Sequence, residues 1–357
     1  MMKKMNSILI NVVHKLAKSL LLCLCLESAV ACNSDTDAGG SSPQVTDYNI
    51  LTKNFKTRDP FITVDRQNNC YYLINSSWEG NKGGLYAYKS EDLKRWKEIG
   101  FVFQAPDNYL GTNDYWAPDT YEYNGNYYAF VTVSNNDLGI LRGTTILRST
   151  TGVDGRYEPV LPNDRLNMTP SNMQCLDGAL YVEDNGTPWM IFSVEWIGPN
   201  VTNRDGEIWA QKLKKDLTDT DGEPHKLFKA SEAMWPTAMN GGGYVTDAPF
   251  IWKDEATGNL IMTWSSFSPL YSIGQAISTS GSVLGPWKHE PEPIFSSNGG
   301  HQMIFKDLEG NLKISFHSPN EATSTTSETL TIMDIKIKDG KFEVLDPTAK
   351  WKPTERK

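Results

Sequence analysis

Four acidic motifs and one histidine motif recur along this chain. They are Arg58-Asp59-Pro60-Phe61, Trp116-Ala117-Pro118-Asp119, Leu176-Asp177-Gly178, Thr246-Asp247-Ala248-Pro249-Phe250 and Gly299-Gly300-His301. A lone Asp beside a turn is ordinary turn chemistry. Four at corresponding places of a repeat are different, because carboxylates gathered at one point repel and some take up a proton. A cluster of this kind offers an ionised base beside a protonated acid, the pair used in general acid–base hydrolysis. Hydrolysis of a glycosidic bond with inversion places such a pair on opposite faces of a sugar, roughly 6.5 to 9.5 Å apart, so that a water fits.

The elements that must position these residues are legible as a repeat. A turn with Asn or Gly, an apolar and aromatic run, then small polar residues return five times: Asn68 to Ser77, Tyr123 to Ser134, Asp184 to Trp196, Thr257 to Phe267 and Glu309 to Asn320. The period is about 50 to 70 residues, and each copy is followed by a further strand and a closing turn. This is the pattern of an all-β, five-bladed β-propeller, in which the innermost strand of every blade meets one axis. The blades are expected at 53–104, 112–160, 172–232, 242–294 and 298–347, within one domain over 53–357. No amphipathic helix longer than a turn or two is expected after residue 45.

The Arg-Asp-Pro-Phe and Trp-Ala-Pro-Asp motifs and the Gly-Gly-His301…His317-Ser-Pro-Asn320 segments resemble glycoside hydrolase family 43, across nearly the whole chain after the leader. The resemblance implies an inverting glycosidase acting on arabinose, xylose or galactose linkages of plant-type glycans. It implies Asp59 as general base and Asp177 as the carboxylate that orients the acid and raises its pKa. Asp119 would form a sugar floor with Trp116, and His301 would sit near an axial Ca²⁺ or other ion. The family's acid is a Glu in blade four, where this chain has Asp247, one methylene shorter. Three outcomes are therefore open: Asp247 as the acid, Glu195 of the Ser-Val-Glu-Trp run as the acid, or a surface glycan-binding protein with weak catalysis. Trp264, Phe267 and Trp196 follow second strands and are candidate sugar contacts, with packing between blades as the bland alternative; His317 is a further candidate contact, or else satisfies a loop carbonyl. Loops Gly111 to Trp116, Gly198 to Asp205 and Trp235 to Gly243 would decide between exo and endo action.

Composition narrows the classes further. The chain has 357 residues, 11 Trp and a net charge of −9. Its first 31 residues carry four Lys and one Glu, a net +3, so the remainder is near −12. That acidity disfavours nucleic acid and suits a neutral glycan. Residues 1–31, with Leu20 to Leu26 apolar and Ala29-Val30-Ala31 before Cys32, are similar to a bacterial lipoprotein signal, with Cys32 acylated. Residues 32–52 then form a flexible tether, and Ser34 to Asp37 resembles the surface-export signal of Bacteroides-type lipoproteins. An outer-membrane lipoprotein, facing the periplasm or the cell surface, is expected, as a monomer. Cys70 and Cys175 are expected as buried free thiols, and His225 and His289 as surface residues. No phosphate loop, zinc spacing or serine-hydrolase elbow is present, and water as nucleophile needs no organic cofactor.

Overall fold

The runs that read as strands do form strands, and the hairpin turns explain their pairing. Asn124 and Gly125 adopt φ of 49° and 73° between paired Tyr123 and Asn126, and Asp339 and Gly340 adopt 52° and 74° between Lys338 and Lys341. Two positive-φ residues make the tight hairpin turn that Asn-Gly and Asp-Gly favour. In the computed structural model, which describes residues 48–198, 204–321 and 327–345, these hairpins build five antiparallel sheets. The innermost strands are Ile62–Asp65, Asn113–Tyr123, Cys175–Val182, Asp247–Lys253 and Gly300–Lys306 for blades one to five. Ile50–Leu51 already pair with Trp96 and Arg95, so blade one begins a few residues before the boundary expected from sequence. The segment 1–47, which holds the leader, Cys32 and most of the tether, lies outside the described residues.

The core is divided among five wedges, each lying between neighbouring blades. Ile74, Leu85, Val131 and Leu147 fill the first; Phe130, Ile146, Met190 and Phe192 the second; Ile191, Ile208, Met262 and Trp264 the third. Ile261, Ile277, Ile304 and Ile314 fill the fourth, and Phe61, Leu73, Met303 and Phe305 the fifth. Middle strands are thus covered on both faces. Every residue of Pro188–Val194 is buried, which is why such strands run apolar instead of alternating. The ring closes where Leu330 N–H donates to Phe55 O at 2.9 Å and Thr57 N–H donates to Glu328 O at 3.1 Å. Cys70 and Cys175 are buried free thiols, as expected.

Two expectations fail here for the same reason. Trp264 is fully buried, its ring 4.6 Å from Trp235 and 5.6 Å from Phe228, so it packs blades three and four together and touches no sugar. His289 is half-buried in the same wedge rather than at the surface. It stands edge-on to Phe228 at 4.5 Å, and neither ring nitrogen has a hydrogen-bond partner. Burial pushes its pKa down to about 4. The unfolded chain then binds a proton that the native state refuses, so stability falls as pH drops from the ordinary imidazole value toward about 4. His289→Leu should shrink the loss of Tm between about pH 7 and about pH 4.5. An unchanged loss would show that His289 is not the titrating group.

Candidate active site

At the mouth of each innermost strand the backbone makes the same excursion. Asp59, Ala117, Asp177, Ala248 and His301 all lie in the left-handed region, with φ between 45° and 57°. In blades two to five the ladder to the next strand skips at this point. A left-handed L-residue costs roughly 1–2 kcal/mol, so it is kept only where the surroundings enforce it. The preceding blade does so in four cases. The N–H of Asp59 donates to His317 Nδ1 at 3.2 Å, that of Asp177 to Thr132 Oγ1 at 2.9 Å, that of Ala248 to Asp177 Oδ2 at 3.0 Å and that of His301 to Ser265 Oγ at 2.9 Å.

This excursion corrects the register expected from sequence. The structural equivalents are Asp59, Ala117, Asp177, Ala248 and His301, so the four Asp are not at matched positions. Asp247 stands one residue before the bend and still reaches the mouth. Asp119 stands two residues beyond Ala117 and does not line the pocket. It accepts a hydrogen bond from Tyr121 Oη at 3.0 Å, and burial raises its pKa well above the carboxylate range. A sugar floor shared by Asp119 and Trp116 is therefore not formed.

The mouth opens into a cavity of about 700 Å³. Of the expected residues, Asp59, Trp116, Asp177, Glu195, Asp247, Phe267 and His301 line it, as does Trp196. His317 does not. It is fully buried, holding the Asp59 N–H with Nδ1 while Nε2 lies 2.9 Å from Asn320 Oδ1. This pairing assigns the Nε2–H tautomer. Asp59 Oδ1 is 3.3 Å from the same Nδ1. Burial disfavours an imidazolium there and Asp59 favours it more, so the affinity of His317 for a proton is raised. Protonation would nevertheless take the acceptor from the Asp59 N–H.

The acidic groups fall into two electrostatic states. Burial alone would raise the pKa of Asp59, but His301 Nδ1 at 3.1 Å, His317 and Arg58 Nε at 3.7 Å outweigh it and hold the carboxylate below its usual range. Its Oδ1 is buried without a hydrogen bond of good geometry. Asp59 also lines the cavity, and an ionised carboxylate there can accept a proton from water. Asp177 is the reverse: burial first, then the Asp59 charge, raise it to about 7. Glu195 and Asp247 are raised together. Burial leads in both, Asp247 is the next cause for Glu195, and Asp177 the next for Asp247. Asp247 accepts from Tyr271 Oη at 2.8 Å. Both carboxyls are therefore pushed above the ordinary carboxylate range, toward the protonated form.

Several contributors escaped the sequence. Tyr271 begins a third strand with no motif, yet its ring stacks on His317 at 5.8 Å while its hydroxyl holds Asp247. Arg142 and Arg204 lie over the rings of Trp116 and Trp196, at 4.8 and 4.3 Å. Asn320 and Arg58 stood inside quoted motifs, but only the fold shows Asn320 against His317 and Arg58 against Asp59 and Glu328. The Nδ1 of His301, the residue expected near an axial ion, faces Asp59 and Asp177, at 3.1 and 3.7 Å. Among the described residues no three His, Cys, Asp or Glu are grouped to hold a metal, so an ion at the axis would be held by His301 with water supplying its other ligands.

Comparison with known proteins agrees with this geometry. The model for glycosyl hydrolases family 43 matches residues 49–342. The chain is 23% identical over 270 residues to the extracellular exo-alpha-(1->5)-L-arabinofuranosidase ArbA of Cellvibrio japonicus, covering 71% of this chain and 72% of that protein. It is 27% identical over 156 residues to the extracellular endo-alpha-(1->5)-L-arabinanase 1 of Bacillus subtilis, covering 40% of this chain and 45% of that protein. Among solved structures, an endo-arabinase from Bacteroides thetaiotaomicron superposes with a TM-score of 0.74 at 47% identity, over 82% of this chain and 99% of that one. A five-bladed ring whose acidic residues line one cavity, together with a family match over residues 49–342 that reaches every blade, makes this chain a member of glycosyl hydrolases family 43.

Proposed function

We propose that this glycoside hydrolase cleaves α-1,5-linked L-arabinofuranosyl chains by single displacement with inversion. One observation carries the mechanism: a low-pKa carboxylate from blade one and a proton-holding pair from blades three and four line one pocket. Asp59 and Asp247 enter this one cavity from blades one and four. Asp59 takes the proton of the attacking water. Asp247 delivers its proton to the leaving oxygen, and Asp177, beside the Ala248 N–H, keeps that region electronegative so that the proton stays. Glu195 is the neutral partner that compensates the shorter Asp. The substrate class is supported by the names of ArbA, arabinanase 1 and the Bacteroides endo-arabinase. Endo action is supported by the last two and by aromatic platforms on two blades. The leader and Cys32 support a lipid-anchored enzyme of the outer membrane.

Asp59→Asn should lower kcat on arabinan by about 10²- to 10⁴-fold, the usual worth of a general base, while arabinan still binds. Reducing-sugar release and gel retardation measure the two; retained turnover would remove Asp59 from the chemistry.

For the acid, the signs are opposite at the two ends of the pH scale. Activity should fall as pH rises through the raised pKa of the pair, above the ordinary carboxylate range, and fall on the acid side only where Asp59 at last protonates, below that range. Asp247→Asn should abolish cleavage of arabinan yet spare aryl arabinosides, whose leaving groups need no proton. Glu195→Gln should keep more than about a tenth of kcat. The reverse pattern would make Glu195 the acid.

Cys32→Ala should abolish incorporation of labelled palmitate in a bacterial host. Labelling that persists would rule out Cys32 as the anchor.

A further inference from the structure

We infer that Trp78 is a binding platform for the stretch of polysaccharide that extends past the pocket, on the blade-one and blade-two side of the mouth. This deepens the proposed function and rests on it. The strand Cys70–Glu79 runs antiparallel to the innermost strand of blade one, so it climbs toward the mouth. Ser76 lines the pocket. Trp78 lies two residues further on, which keeps it on the same face of the sheet and places it about 7 Å beyond Ser76. It is 46% exposed, an unusual state for an indole carried on a sheet.

The ring is not loose. It stands at 85° to Tyr115 with centroids 5.6 Å apart. Tyr115 is itself buried, with its hydroxyl donating to Gly111 O at 2.6 Å and its carbonyl accepting from Ser76 Oγ. The slot for Tyr115 exists because Gly83, the cross-strand partner of Trp78, has no side chain; a Cβ there would lie 2.2 Å from the tyrosine ring. Trp116 comes next in the chain, is 41% exposed and lines the pocket. Trp78 and Trp116 are therefore two exposed indoles, one packed on buried Tyr115 and the other following Tyr115 in the chain, at the rim and in the cavity wall. A two-residue turn, Gly80-Asn81, carries Trp78 on a tight hairpin rather than a long loop.

The occupant follows from continuity and charge. Trp116 lines the cavity that holds the scissile residue, so the ligand nearest to Trp78 is the same polymer. Glu79 accepts from Gln104, and Lys82 pairs with Asp107 at 2.6 Å, which leaves the charge of Glu79 beside the indole. That charge disfavours an acidic polymer, and a rigid indole face suits a neutral sugar chain, whose C–H faces lie flat on aromatic rings.

The test compares long debranched arabinan with arabinotriose in wild type, Trp78→Ala and Trp78→Phe. The ratio of kcat/KM for polymer over trisaccharide should fall about fivefold or more in Trp78→Ala, the scale of losing one aromatic contact, and be partly restored in Trp78→Phe. In the Asp59→Asn background, Trp78→Ala should weaken retardation by arabinan in a gel. An unchanged ratio in an enzyme that cleaves arabinan, or an equal loss on both substrates, would overturn this inference alone. Wild-type enzyme that neither binds nor cleaves arabinan would overturn the substrate assignment and this inference with it.

Discussion

The site depends on a backbone constraint more than on any single carboxylate. Each innermost strand starts with an L-residue forced into the left-handed region, and in blades one, three, four and five the N–H it frees is held by a side chain of the preceding blade. Those bonds act as a ring of cross-braces. They hold strain that would otherwise relax, and they aim Asp59, Asp177 and His301 at the axis instead of along the pleat. In blade four the brace is Asp177 itself, so a carboxylate of the chemistry also fixes the backbone beside Asp247. In blade one it is His317, whose tautomer is set by Asn320.

Crowding of charge then becomes usable. With Arg58 and two imidazoles facing Asp59, its carboxylate is held low, while burial raises Asp247 and Glu195. Tyr271 links the two sides, stacking on the histidine that braces Asp59 and donating to Asp247. Arg142 and Arg204, over the rings of Trp116 and Trp196, stiffen two indoles that line the cavity. Guanidinium over indole is favourable by roughly 0.5–2 kcal/mol, enough to hold a platform in place before a sugar arrives.

Much of the fold was readable because a propeller repeats local patterns. Asn-Gly and Asp-Gly turns, apolar runs such as Met190 to Val194 and the spacing of the five copies are short-range signals, and blade limits fell within a few residues of those expected. The site was readable in part. Asp59, Asp177, Asp247, Glu195, Trp116, Phe267 and His301 do line one cavity. Trp264 was misplaced because an aromatic on a second strand can face either a wedge or the mouth, and His289 because its charged, Pro-containing surroundings hide an outer strand whose ring turns onto Phe228. Asp119 was misplaced because a bulge shifts register without altering composition.

What the sequence by itself determined is therefore the ring: its all-β class, its five blades, and a gathering of acids at one end, all consequences of local periodicity repeated five times. What only the tertiary structure decided is which of those acids line one cavity, and which is held below and which are raised above the ordinary carboxylate range. That depends on groups remote in sequence. His317 and Arg58 sit on Asp59, Tyr271 on Asp247, and Asp247 beside Glu195. Electrostatic energy depends on distance through space and on burial, neither of which a single chain of letters contains.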